Sequence, residues 1–292
     1  MSNKRGIGER LFEWSNALFL ILLGIATLYP FLYVLTISLS EPAAINRPGL
    51  HLYPESLNFS AYWKVLDNPQ LYVAYTNTII RTVLGIACII LFTSLTAYPL
   101  SRSSFPLRGS IMKLFVLSMM LNGGLIPMYL WVKRLGLLDS IWSLVLPGAV
   151  SAFNIIVMRN FFVAIPGEII ESAKIDGASE LYTFRRIVMP LSAPVLAVVT
   201  LWAAVSHWNS WFDAMIYMSS ADHEVLQLFL RHNVVDPNAN LSQEYSIVGS
   251  LEVTPENLKS AIIMIVSFPI LLAYPFLQRF FVKGIMLGSV KG

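Results

Sequence analysis

The chain is poor in charge. Only 13% of its 292 residues are Asp, Glu, Lys or Arg, where a soluble domain carries about a quarter. Hydrophobic residues make up 56%, and the mean hydropathy is +0.64. That balance excludes a soluble globule around one core and points to a chain solvated by lipid. Cysteine is nearly absent. Cys88 stands alone in an apolar run, which excludes an intrachain disulfide and a multi-cysteine metal site. The four histidines form no pair at ligand spacing. His223-Glu224 begins like a zincin helix, but Gln227 stands where the second ligand is needed. No G-x-x-x-x-G-K-[ST] run occurs, so the sequence holds no phosphate cradle of that type. No serine has the context of a nucleophile elbow. The net charge of +3 is too small for a nucleic-acid patch. Enzyme chemistry therefore has nothing positive behind it.

Six stretches lack any Asp, Glu, Lys or Arg: Ala17–Leu39, Thr82–Leu100, Leu114–Val132, Ser140–Met158, Leu191–Phe212 and Ser260–Leu277. Each is close to the roughly 20 apolar residues that cross a bilayer. Extended to their natural ends they predict spans at about 14–39, 73–101, 109–132, 138–163, 191–218 and 259–281. The fold class expected is an all-α polytopic membrane protein with six transmembrane helices, forming a single domain over 1–292. The first run is too long for a signal-peptide core, so it reads as an uncleaved span. Counted loop by loop, Lys and Arg favour an N-in arrangement by about two to one. Both termini are then cytoplasmic. The segments Glu41–Leu71 and Ser219–Leu258 fall outside, the second rich in acid and open to two readings: a solvated loop or a contact surface. Asn122-Gly123-Gly124 followed by Pro127 is the strongest candidate for a break inside a span.

One hydrophilic stretch interrupts this pattern between spans four and five, at 165–190. It reads ESAKIDGASELYTFRRIVMP from Glu171 to Pro190. Pro166 suits a first helical position, and Glu168 and Glu171 favour the positive end of the helix dipole. Gly177 reads as a C-cap in left-handed conformation. Ser179 can cap a second helix with Glu180 in its first turn. Leu181, Phe184 and Val188 then recur at helical spacing. The local physics predicts a capped helix-turn-helix; a plain amphipathic loop lying on lipid is the alternative.

The pattern E-x-A-x-x-D-G-A, with Phe184, Ile187, Pro190 and Pro194 following, resembles the EAA loop of ABC-importer permeases, with Ser172 departing from the middle letter. The resemblance extends along the chain. N-G-G-L-I-P-M-Y-L from Asn122, W-N-S-W-F-D-A from Trp208 and the ending K-G-I-M-L-G-S-V-K-G are similar to the carbohydrate-importer, MalG-like permeases. The resemblance implies a binding-protein-dependent importer in the bacterial plasma membrane. It implies as partners a second, non-identical permease, a cytoplasmic ATPase dimer that binds ATP and magnesium, and an extracellular solute-binding protein. No cofactor or metal is expected in this chain. Glu171, Ala173, Asp176, Gly177, Ala178, Leu181 and Phe184 are the residues implied in ATPase coupling, and the tail Gly284–Gly292 is implied to reach toward the ATPase.

Polar residues within the apolar spans give a second candidate site. Trp208, Asn209, Trp211 and Asp213 gather at one end of span five, and Asn122 sits at the break in span three. An aromatic belt with interfacial polar groups is one reading. A sugar path is the other: indole faces stack on pyranose rings while amide and carboxylate groups bond hydroxyls. Asn77 and Arg81 read as a structural pair. A transporter driven by an ion gradient is the rival function, but it needs carboxylates at mid-membrane depth, and the six core stretches contain none.

Overall fold

The computed structural model describes residues 7–45, 49, 51–54, 56–121, 123–235 and 253–289. Among these residues the regular structure is all helical. The helices are α1 (Ile7–Leu39), α2 (Pro42–Ile45), α3 (Ser60–Leu66), α4 (Pro69–Ser101), α5 (Arg108–Met120), α6 (Leu125–Arg134), α7 (Ile141–Val145) and α8 (Ala152–Val163). There follow α9 (Gly167–Ile175), α10 (Glu180–Thr183), a π-helical turn (Phe184–Val188), α11 (Met189–Leu191), α12 (Ala193–Asn209), α13 (Phe212–Tyr217), α14 (Leu226–Val234) and α15 (Pro255–Ser289). Among the described residues, three stretches are single helices long and apolar enough to cross a membrane: Leu11–Leu39, Pro69–Ser101 and Pro255–Leu272. Counting bent helix pairs as spans brings the number to as many as six.

Three expected spans are not continuous. The span expected at 109–132 stops after Met120 and restarts at Leu125, where Gly124 has φ +84° and Pro127 follows. The span expected at 138–163 divides into α7 and α8 around Pro147-Gly148. The span expected at 191–218 breaks between α12 and α13, where Ser210 is extended. Glycine and proline explain the first two, because each weakens or removes the helical hydrogen-bond ladder. The third break has no such residue. It is held by side chains, described below.

The chain groups into two compact units, 1–69 with 230–268 and 70–229 with 269–292. In the first, the end of α1 is satisfied by a side chain. Asn257 Nδ2 donates to the carbonyls of Ile37 at 2.7 Å and Ser40 at 2.9 Å. The hydroxyls of Ser38 and Tyr62 meet at 2.8 Å and fasten α3 to the same turn. Elsewhere α1 presents exposed Leu18, Phe19, Ile21 and Leu22, the lipid-facing chemistry of a span.

Among its described residues the second unit holds two apolar clusters. One joins Ile89, Ala97 and Leu100 of α4 to Ile155, Met158 and Phe162 of α8, to Phe184 and Val188, and to Val195, Val199 and Ala203 of α12. The other joins Val132 of α6, Leu144 of α7, Ala214 and Tyr217 of α13, and Val225 and Leu228. The first cluster includes Phe184 and Val188 of the elbow, and the second is built from other helices, α6, α7, α13 and the start of α14. Asp139 Oδ1 accepts from the backbone of Ser219 and Ser220, each at 3.1 Å. Asn77 Nδ2 donates to the carbonyls of Asp222 at 2.8 Å and Glu224 at 2.9 Å. Thr78 Oγ1 accepts from the buried amide of Leu226 at 2.8 Å. Thr78→Val keeps the shape and removes that acceptor. It is expected to cost about 1–3 kcal/mol, the range for a buried donor left unsatisfied, and to raise amide exchange across α14.

Candidate functional site

The elbow is built from two capped arms. Pro166 is the N-cap of α9 rather than its first helical residue, with ψ 129° still extended. At the other end Gly177 has φ +79°. Its amide donates to the Lys174 carbonyl at 3.0 Å, and the amide of Ala178 donates to the Ala173 carbonyl at 2.9 Å. That pair of bonds is a Schellman closure, which needs the left-handed residue that glycine supplies without strain. Ser179 is extended, and its Oγ accepts from the amide of Tyr182 at 3.3 Å, opening the second arm. Helix α8 turns into α9 through 73°, and the second arm meets α12 at 78°.

The expected stripe Leu181, Phe184, Val188 is only partly buried: a π-turn runs over Phe184–Val188, and the buried set is Thr183, Phe184 and Val188, while Leu181 is 69% exposed. Phe184 lies against Tyr98 of α4, ring centroids 5.0 Å apart, and belongs to the elbow-side core. Ile175, at 87% exposure, and Leu181 stand out on the two arms. Ala173 is buried; Glu171, Asp176 and Gly177 are exposed, and Ala178 is half-buried. A cleft of about 630 Å³ opens between the arms, with Ala173, Asp176, Ser179, Tyr182 and Arg186 among its walls. Such a surface, apolar at its tips and concave between them, is suited to a protein partner.

The elbow is tied to α4. Tyr98 Oη donates to Glu180 Oε2 at 2.7 Å, Lys174 Nζ approaches Glu180 Oε1 at 2.5 Å, and the Arg102 guanidinium stacks 4.4 Å from the Tyr98 ring centre. Lys174 first, then the Tyr98 hydroxyl, holds the Glu180 carboxyl below its ordinary value. A depressed carboxyl stabilises the fold above its unfolded value and loses that contribution as pH falls through the folded one. The pair is more than half exposed on the Glu180 side, so its effect is local and small. Amides of α10, corrected for intrinsic rates, should exchange faster as pH drops below about 4. Glu180→Gln should show the faster exchange already at neutral pH.

Four of the other candidate residues, Trp208, Asn209, Trp211 and Asp213, flank the break between α12 and α13. Asn122 lies outside the described residues. Trp208 is half-buried, Trp211 packs edge-on to Phe212 at 5.5 Å, and Asn209 is exposed, with its Nδ2 donating to its own helix at the Val205 carbonyl, 2.9 Å away. Asp213 is engaged by protein groups. Arg81 Nη2 pairs with its Oδ2. Ser210 Oγ donates to its Oδ1 at 2.8 Å, and the Ala214 amide donates to the same oxygen at 2.9 Å. Arg81 itself is 2% exposed. Its Nη1 donates to the Ser210 carbonyl at 3.1 Å, and its Nε donates to His207 Nδ1 at 3.4 Å. Residue order alone does not join Arg81 to Asp213. The usable signal was that a lone arginine within a span requires a counter-charge, and Asp213 is the acid nearest the end of span five.

Apolar helical spans among the described residues, with a capped hydrophilic elbow that its own core holds in place, define a polytopic membrane permease fold. The chain belongs to the family described as binding-protein-dependent transport system inner membrane component, which matches residues 89–287. It is 40% identical to Protein LplC of Bacillus subtilis (strain 168) over 284 residues, 97% of this chain and 96% of that one. It is 38% identical to the polygalacturonan/rhamnogalacturonan transport system permease protein YtcP of the same organism, over 97% of this chain and 99% of YtcP. Among solved structures it superposes on a chain of a bacterial ABC transporter involved in the import of the acidic polysaccharide alginate. The TM-score there is 0.91, with 33% identity over 96% of this chain and all of that one. The chain is thus a transporter permease subunit of the ABC-importer type.

Proposed function

We propose that the chain is one of two unlike permease subunits of an ATP-driven importer for oligosaccharides, the substrate being fragments of acidic polysaccharides. The observation that carries this reading is the superposition of 96% of this chain on a chain of a transporter involved in the import of an acidic polysaccharide. The identity to a polygalacturonan/rhamnogalacturonan permease points to the same substrate class. In this reading the whole chain works as one transmembrane domain with both termini and the elbow in the cytoplasm. A separate ATPase dimer binds ATP and magnesium and grips the exposed tips at Ile175 and Leu181, while Glu171, Asp176 and the Gly177 turn shape the surface it meets. Ala173, Ala178 and Phe184 act from behind, by packing. An extracellular solute-binding protein delivers the sugar. Trp208, Asn209 and Trp211 are the residues offered to a passing sugar, and Asp213 works through the shape of the break.

The test is uptake. The chain is co-expressed with a candidate second permease, an ATPase and a solute-binding protein from the same genome, purified, and reconstituted in liposomes. The expected result is co-purification of an ATPase and a second permease, with uptake of oligogalacturonides that requires internal ATP. Uptake by the chain alone, or uptake driven by an ion gradient without nucleotide, would overturn the proposal. Uptake of neutral oligosaccharides only would overturn the substrate class.

A further inference from the structure

Three expected spans break, and each sends its two halves to different cores. From span three, Ile111, Met112 and Phe115 of α5 pack with the elbow-side cluster, whereas Tyr129 and Val132 of α6 pack with the second one. From span four, α8 belongs to the first cluster, and Ile141 and Leu144 of α7 to the second. From span five, Val195, Val199 and Ala203 of α12 belong to the first, and Ala214 and Tyr217 of α13 to the second. Packed cores behave as rigid bodies, so motion concentrates where regular structure is interrupted between them. Helix α4 is unbroken. It contributes Ile89, Ala97 and Leu100 to the elbow-side cluster and holds the loop leading into α14 through Asn77 and Thr78.

We infer that the Ser210–Trp211 break is a hinge of transport and that Arg81 is the positioning residue that sets its angle from α4. The break has no glycine or proline to favour it. What defines it is one guanidinium with three donors in use: one to the Ser210 carbonyl that the helix leaves free, one to Asp213 at the start of α13, and one to His207 in the last turn of α12. One side chain therefore grips both arms and the carbonyl between them. The planar fork of arginine can do this; a lysine, with one point of charge, cannot. Because Arg81 is buried, it acts on solute only through the hinge.

The test uses the complete transporter in liposomes, with Cys88→Ser as background. Spin labels are placed on cysteines introduced at the exposed residues Ala193 of α12 and Met215 of α13. With Arg81 present, the nucleotide-free state should give one narrow distance distribution that shifts on adding ATP. Arg81→Gln combined with Asp213→Asn leaves no unpaired charge. It should assemble, broaden the nucleotide-free distribution, and lower uptake about tenfold at unchanged sugar affinity of the binding protein. Arg81→Lys, which keeps the charge but not the fork, should broaden it to a lesser degree. The inference falls if the distribution does not respond to ATP in a parent transporter that shows ATP-driven uptake. It falls equally if Arg81→Lys and the double variant both retain the parent distribution. The uptake arm rests on the importer reading, but the nucleotide-free distances do not. A parent transporter without ATP-driven uptake would sink that reading while leaving the distance result to judge the hinge.

Discussion

Gly85→Ala is expected to lower the thermal stability of the purified protein, and adding His207→Ala to the same chain should restore most of it. A Cβ built on Gly85 would lie 2.2 Å from His207 Nε2, 2.4 Å from Cδ2 and 2.7 Å from Cε1. Those distances are well inside van der Waals contact, so something must move. The imidazole is not free to do so cheaply: it is 6% exposed, and its Nδ1 accepts from Arg81. Arg81 and Gly85 are four apart on α4 and so share one face, one stacked above the other. The glycine makes the space in which the imidazole lies, and the imidazole is one of the three groups that the guanidinium holds. Overpacking of this kind costs about 1–3 kcal/mol. In the double variant the clash disappears together with one Arg81 contact, so the two changes should couple by about 0.5–3 kcal/mol. Size-exclusion of heated detergent extracts measures Gly85→Ala, His207→Ala and the double variant alongside the parent. A double variant no more stable than Gly85→Ala would mean that the glycine is needed for some reason other than the imidazole.

The same region marks the limit of what residue order discloses. The apolar runs announced the spans because lipid demands continuous apolar length, and α4 and the Leu11–Leu39 stretch of α1 are unbroken helices where such runs were read. The elbow was legible for a different reason. Its caps are local, so Gly177, Ser179 and the acidic first turns carry their message within a few residues. The breaks near Gly124 and Pro147 also have local causes. The break at Ser210 does not. It depends on Arg81, which lies 132 residues before Asp213 in the chain, and no periodicity reports such a pairing. Asp213 therefore looked available to a sugar hydroxyl, although its oxygens are already engaged. The π-turn is equally invisible in the sequence: the stripe Leu181, Phe184, Val188 fits a regular helix, and it is the packing of Phe184 against Tyr98 that sets it apart from exposed Leu181.

Gly177→Val is expected to leave membrane insertion and assembly of the spans intact while abolishing uptake. The effect is conformational and not steric, because an added Cβ at position 177 meets no atom within 4 Å. The left-handed backbone, at φ +79°, costs a residue with a Cβ about 1–2 kcal/mol, and valine is stiffer at χ1 than most. That amount is small beside the two apolar clusters, so the bundle should survive it. It is comparable with the closure it opposes, two backbone bonds from Gly177 and Ala178. Opening that closure separates the arms that bear Ile175 and Leu181, and a partner that grips both then finds one. The order expected for uptake is Gly, then Asn, then Ala, then Val, since asparagine tolerates the left-handed region best among residues with a Cβ. The contrasting variant Leu181→Ser removes an apolar tip without touching the turn. It should weaken partner retention on a column yet leave elbow amide exchange unchanged, whereas Gly177→Val should change both. Normal sugar-stimulated ATP turnover in an assembled Gly177→Val transporter would show that the turn does not transmit the stroke.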